Sequence, residues 1–578
     1  MDKYLKHFSK QAVILIALGT IVWSATMVKS GLCWDAKCAS GVGFWGPNGH
    51  DGIWHIAVIE SLSRGSWELP VFAGETIKNY HIGFDLLLAW LHKLTFIPVS
   101  TLYFQIIPPL LALSIGIFTY KFVESWRKSK LQALWATFFV YFGGGFGWLI
   151  TFFRNGELGG ESMFWSQQSI STLINPPFAL SILVILIALN LLLQASRSNL
   201  KIKKKKILII VTFLFGVLIQ IKVYAGILAL GGLFVAGFWR MFKRQGIDLM
   251  KVFTGALIIS LLLYLPMSKG TSSIILFSPF WFLETMMGFS DRVSWPKFAE
   301  AMVNYKLAGS LIKGVTAYVI AFIIFVIGNF GTRLVKDIWI IKKIRDYKNL
   351  YFIDVFFFSL IAAGIIIPMF YIQRGTAWNT IQFFYYSLMF SGVLAGIWLG
   401  EWMENKYATV LYSTVAGVII LLTIPTTIGT LRHYLPARPP AKISNEELEA
   451  LKFLSTQPDG VVLTYPFNRE AADAAIDNPP RPLYLYESTA YVSAFSKKPV
   501  YLEDEVNLEI TGYEWKGRRD KVMQFINAKD KVLARNFLDE NNISYVYLAG
   551  GMKIVLSKEE LGIEDIFENS DVKIYKVN

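Results

Sequence analysis

The sequence predicts a polytopic α-helical membrane protein closed by a C-terminal extracytoplasmic α/β domain. Three observations predict it. The chain has 578 residues, of which 54% are hydrophobic and only 17% charged, whereas soluble domains run nearer a quarter charged. Many apolar stretches reach the roughly 18–20 residues needed to cross a bilayer. The charge also changes sign along the chain. Residues 1–440 carry 39 Lys/Arg against 19 Asp/Glu, a net +20, and residues 441–578 carry 17 against 23, a net −6.

The elements follow in order. Lys3, Lys6 and Lys10 precede an apolar run over 12–28. That run is long for a cleaved signal peptide and lacks a small-x-small cleavage pattern, so it reads as a retained first helix with a cytoplasmic N-terminus. Further spans are expected over 101–120, 132–152, 177–195, 207–221, 223–239, 252–267, 312–330, 351–371, 382–400 and 408–429. Segment 82–97 is apolar but short, and His92 and Lys93 interrupt it, so it is either a span or an interfacial helix. The expected total is about 11–13 helices. Residues 207–239 are too long for one straight crossing, and Lys222 lies at their middle. Two short helices meeting at an external apex fit best. Gly143-Gly-Gly-Phe-Gly147, inside an apolar span, reads as a packing or bend element.

Basic clusters assign the sides. Lys121–Lys130, Lys201–Lys206, Arg240–Arg244, Arg333–Arg345 and Glu401–Lys406 are expected in the cytoplasm. Loops 29–80, 153–176, 268–311 and 372–381 are expected outside, with everything after Thr430. The membrane implied is the plasma (cytoplasmic) membrane. These basic runs are short and border apolar spans, which disfavours nucleic acid as a partner. Cys33 and Cys38 could form a small disulfide loop on an oxidising side or stay as thiols.

Two domains are expected, 1–435 in the membrane with a long first outer loop over 29–80, and 436–578 as the α/β domain. Arg438-Pro-Pro440 is the linker. Ser444 with Glu447 three residues on is a capping box that opens a helix to Leu454. Strands are expected over 460–465, 544–548 and 572–575, and a helix over 520–540.

Chemistry-bearing residues cluster in the first outer loop, Gly46-Pro-Asn-Gly-His-Asp-Gly-Ile-Trp-His55. His50, Asp51 and His55 fall within six residues, and Asp51 and His55 are four apart, on one face of a helix beginning there. Tyr80 and His81 close the loop at the membrane edge. Three readings stand: an Asp N-cap with incidental histidines, a carboxylate poised as general base, and a divalent metal held by His50, Asp51 and His55 with a ligand from elsewhere. No other cofactor is called for. In a second segment, Arg374 precedes Asn379 and Gln382. A guanidinium fork there suits a phosphate; the alternative is an arginine reaching the headgroups. Lys222 and Tyr224 form a third candidate, because a buried ammonium needs an anionic partner. Loops 153–176, with Glu157 and Glu161, and 268–311, with Glu284, Asp291, Arg292, Trp281 and Met286, read first as solvated loops. No Walker A loop or Gly-x-Ser-x-Gly elbow is present, so an activated group has to arrive another way, and a lipid-borne substrate supplies one.

This pattern resembles the GT-C superfamily of membrane glycosyltransferases, which includes protein O-mannosyltransferases and the aminoarabinose transferase of lipid A. The resemblance rests on one helix leading into a long first outer loop with an acid (Gly49-His-Asp51-Gly52), amphipathic segments up to Tyr80-His81, about a dozen spans and a terminal α/β domain. It implies that Asp51 is the general base, assisted by the neighbouring His50 and His55, and that a polyprenyl-phosphate-linked sugar is the donor. Lys222 and Arg374 would hold its phosphate, with Tyr224, Asn379, Gln382, Tyr80 and His81 as further substrate contacts. The acceptor would be a glycan, lipid or protein hydroxyl, reached among membrane lipids. Gly52 stands where several relatives carry a second acid, and Asn175 offers an amide where some carry an aspartate. Glu161 or Glu157 is then the candidate for a second carboxylate. The rival functions are a polysaccharide polymerase or ligase, and a lipid-glycan transporter or flippase without covalent chemistry.

Overall fold

The computed structural model of the protein describes residues 8–268, 275–373, 377–404 and 409–578. The chain forms two compact units, one of residues 1–25, 109–266 and 272–433 and the other of residues 26–108, 267–271 and 434–578.

The first unit is helical. Among the described residues of the chain, eight helices are long and apolar enough to cross a membrane, and a ninth crossing is made if a bent pair counts as one. The protein is a multi-pass membrane protein. The bent pair is Lys130–Phe142 and Gly147–Asn155, which meet at 49° where the sequence reads Gly-Gly-Gly-Phe, so the bend element is real and the straight span expected over 132–152 is broken. Two expected crossings fall short of the length or composition a span needs. Lys10–Ser24 has 15 residues, and Lys201–Ile221 opens on a basic run. Helices Lys201–Ile221 and Val223–Phe242 do meet at Lys222, whose backbone is extended.

The innermost helix is Ala377–Met403, packed against Lys130–Phe142 and Phe352–Phe370. Gly392, Gly396 and Gly400, four apart on one face, allow this. A Cβ on Gly396 would lie 2.2 Å from the Ala136 nitrogen and one on Gly400 2.5 Å from Gln132 Cα. Small residues at this spacing let two membrane helices touch backbone to backbone.

Loops 153–176 and 268–311 are solvated only in part. Met163, Phe164 and Trp165 from one, and Trp281, Phe282, Met286 and Met287 from the other, are buried in a single core with Phe325, Phe330, Ile381 and Phe384. Aromatic and methionine side chains lose too much free energy in water to stay exposed when a neighbouring apolar surface is within reach.

The second unit joins the first loop to the C-terminal segment. Its first sheet runs Leu32–Cys33, Val42–Phe44, Ala441–Ile443, Arg481–Pro482. The first three strands are antiparallel and the last is parallel to its neighbour. A boundary drawn at 436 therefore separates strands that hydrogen-bond to each other. Cys33 and Cys38 form a disulfide. The second sheet runs Val461–Leu463, Ile543–Ala549, Val572–Val577, Ile563–Glu568. The expected strands are all present. Asn445–Thr456 opens on the Ser444–Glu447 capping box, with both reciprocal bonds made. The helix expected over 520–540 is two helices, Lys516–Ile526 and Lys531–Glu540, because Asp530 caps the second. Segment 82–97 is a helix over Gly83–Thr95 of 13 residues, too short to cross a bilayer.

Candidate functional site

The helix Asp51–Ser63 is a core helix of the second unit: every residue from Gly52 to Leu62 is buried. It packs against Gly83–Thr95 and Tyr491–Ser496. Asp51 is its first residue and follows a one-turn 3₁₀ segment, Gly46–Gly49. A carboxylate there faces the positive end of the helix dipole. Gly52 has no room for a side chain, since a Cβ would lie 2.7 Å from the ring of the fully buried Phe104. The absence of a second acid at this position is thus a packing requirement.

His50 is buried while the Asp51 side chain is half-exposed. The His50 Nδ1 donates to Asp51 Oδ1 at 2.9 Å and lies 3.8 Å from Glu487 Oε2, and Nε2 lies 3.4 Å from Asp504 Oδ1. Burial alone would push the imidazole pKa down, but the charges and hydrogen bonds of Asp504 and Asp51 outweigh it and hold it well above the usual histidine range. The ring thus lies between the Asp51 and Asp504 carboxylates, which favour its protonated form. Asp504 is itself fixed: its Oδ1 accepts from the Asn507 nitrogen at 3.1 Å and its Oδ2 from Asn507 Nδ2 at 2.9 Å.

His55 turns elsewhere. Its Nδ1 bonds Asp85 Oδ1 at 2.7 Å, and Asp85 is wholly buried. The ring stacks on Tyr103 at 5.4 Å and meets Phe84 edge-on at 6.0 Å. Tyr80 packs edge-on against Trp54 at 5.5 Å and beside His81 at 4.8 Å. Enclosure and the Asp85 charge push the Tyr80 phenol well above its ordinary pKa. His50, Asp51 and His55 are therefore not three ligands of one ion. Among the described residues no group of three or more His, Cys, Asp or Glu is arranged to hold a metal.

In the helical unit, Lys222 is 4% exposed. Its ammonium donates to Asn175 Oδ1 at 3.3 Å and lies 5.4 Å from the centre of the Tyr224 ring. Asn175 also caps Pro176–Arg197 through the Phe178 nitrogen at 3.1 Å. The Tyr224 hydroxyl donates to Gln373 Oε1 at 3.2 Å. Arg374, the next residue, lies outside the described residues. Gln382 Nε2 donates to Asn379 Oδ1 at 3.3 Å, so those two amides do sit together. Glu161 accepts from the Gln168 nitrogen at 2.7 Å and from the Ser171 hydroxyl at 2.7 and 2.8 Å, which binds it into its own loop. Arg292, read as a loop residue from sequence, is buried between Trp165 and Trp378, with ring centres at 4.5 and 5.0 Å.

Sequence reasoning missed Asp85, Glu487, Asp504 and the Arg292 sandwich. Asp85 carries a signal, as the lone acid in an apolar segment. Glu487 and Asp504 carry none, being more than 400 residues from His50.

No protein-family model matches the chain, and no curated protein matches it. Solved structures do. The Archaeoglobus fulgidus oligosaccharyltransferase, tethered to an acceptor peptide containing the NVT sequon, is 12% identical with a TM-score of 0.51, over 94% of this chain and 69% of that one. The same enzyme in complex with Zn and sulfate is 13% identical with a TM-score of 0.50, over 93% and 68%. The arabinofuranosyltransferase AftD from Mycobacteria is 11% identical with a TM-score of 0.49, over 98% and 40%. The fold assignment rests on the first two: the chain has the GT-C fold.

Proposed function

We propose that this chain, which carries the fold of the GT-C membrane glycosyltransferases, transfers a sugar from a polyprenyl-phosphate-linked donor to an acceptor hydroxyl. Asp51 takes the hydroxyl proton as the oxygen attacks the anomeric carbon. The bond from that carbon to the phosphate oxygen breaks, its electron pair leaves with the lipid phosphate, and the anomeric centre inverts. The observation that carries this reading is the half-exposed carboxylate of Asp51 at the start of a buried helix, bonded to a buried His50 ring whose other nitrogen faces Asp504. A base positioned this rigidly contributes on the order of 10²–10⁴-fold to rate. His50 is a positioning residue, and His55, bonded to Asp85, orients the helix rather than the proton.

Lys222 is the candidate for the lipid phosphate, since a buried ammonium is stabilised most by an anion, and Arg374 is the second candidate from sequence. The Cys33–Cys38 disulfide favours an oxidising compartment for the second unit, as does the placement of basic loops. We therefore assign this unit to the outer face of the plasma membrane. Mass spectrometry of lipids co-purified with the protein tests the donor. A polyprenyl-phosphate sugar is expected, and its absence, together with no stimulation of turnover by added polyprenyl-phosphate sugars, contradicts the reading.

A further inference from the structure

The second unit contains a cavity of about 370 Å³, toward the lower end of the roughly 300–1,000 Å³ typical of ligand sites. Nothing so far assigns it a ligand. Its walls include aromatic and acidic residues. Tyr465, Phe467 and Tyr484 contribute rings, and Glu487 and Asp504 contribute carboxylates. The acidic groups are already engaged by the protein. Asp504 and Glu487 face the His50 ring at 3.4 and 3.8 Å. Glu505, also in the wall, pairs with Arg519, and Glu503 accepts from the Val492 and Ser493 nitrogens at 2.7 and 3.0 Å. Each of these carboxyl groups therefore already has a partner within the protein. What the cavity offers is flat apolar surface, carboxylate oxygens that can accept from hydroxyls, and Thr489. Thr489 lines the cavity and is 4% exposed, and its hydroxyl has no hydrogen-bond partner among the described residues. A buried hydroxyl without a partner is costly unless a ligand or water supplies one.

We infer that this cavity binds a neutral, hydroxyl-rich sugar ring of the acceptor. The C–H face of such a ring packs on the aromatic side chains, while its hydroxyls bond the carboxylates and Thr489. Glu487 and Asp504 belong both to this wall and to the cluster that holds Asp51, so a ring seated here lies beside the proposed base. The acceptor is then a glycan or glycolipid, and this rests on the reading of Asp51 as the base.

The test uses the full chain in detergent micelles, with saturation-transfer NMR against a panel of neutral methyl glycosides and with ethanolamine as a cationic control. At least one glycoside is expected to bind. Thr489→Val, which keeps the side-chain shape, should weaken it roughly tenfold, the worth of one buried hydrogen bond. Phe467→Ala, at a partly exposed site, should abolish it. Failure of every glycoside to bind, displacement by ethanolamine, or wild-type affinity in both variants overturns the proposal. Asp51→Asn separates the two readings. Glycoside binding with undiminished transfer in that variant sinks the base and leaves the cavity standing. Transfer lost in that variant, with no glycoside bound by the wild type, sinks the cavity alone.

Discussion

At the scale of single residues, Glu503 and Gly52 give the sharpest expectations. Glu503 is buried, and burial is the main reason its pKa rises to about 8, against the lowering effect of the Ser493 and Val492 bonds. The folded state thus keeps a proton that the unfolded chain loses near its ordinary value of 4.5. The stabilisation is complete below that value and is lost as pH rises through about 8. Glu503→Gln should flatten this loss, which amounts to about 1.4 kcal/mol per pH unit at most; thermal midpoints by tryptophan fluorescence at pH 5 and pH 8 measure it. Gly52→Ala should cost about 1–3 kcal/mol by overpacking against Phe104, read as a lowered midpoint. Asp51 and His50 were legible in the sequence because six residues held three titratable groups. Their partners were not, because Glu487 and Asp504 reach His50 only through the tertiary fold. Nor could spacing show that His55, one turn from Asp51, bonds Asp85 instead.

At the scale of elements, local chemistry was read well and long-range packing was not. Ser444 and Glu447 announce their helix because the capping box is a contact three residues long. Lys222 announces the break between Lys201–Ile221 and Val223–Phe242 because two basic ends flank one over-long apolar run. By contrast, loops 153–176 and 268–311 looked solvated because their aromatic residues are mixed with charges. Their burial depends on Phe325, Phe330 and Phe384, which no local pattern connects to them. The Lys222 break carries its own expectation. Lys222→Met keeps the apolar stem and removes the ammonium. Folding should hold, while KM for the lipid donor rises at least tenfold in a transfer assay. An unchanged KM would free Lys222 from the phosphate role.

At the scale of the whole molecule, the GT-C architecture was legible because apolar length and charge asymmetry are global properties of the sequence. The joining of the first loop to the C-terminal segment was not. It rests on Val42–Phe44 pairing with Ala441–Ile443, a strand contact between segments about 400 positions apart. The count of crossings also shifted, since the basic start of Lys201–Ile221 and the brevity of Lys10–Ser24 cannot be weighed by apolarity alone. In the proposed reaction one carboxylate at the head of a buried helix removes the acceptor proton. The most direct test is turnover of the reconstituted Asp51→Asn protein with a polyprenyl-phosphate sugar donor. Turnover should fall by about 10²-fold or more, with the thermal midpoint and co-purified lipid unchanged. Transfer at the wild-type rate would contradict it.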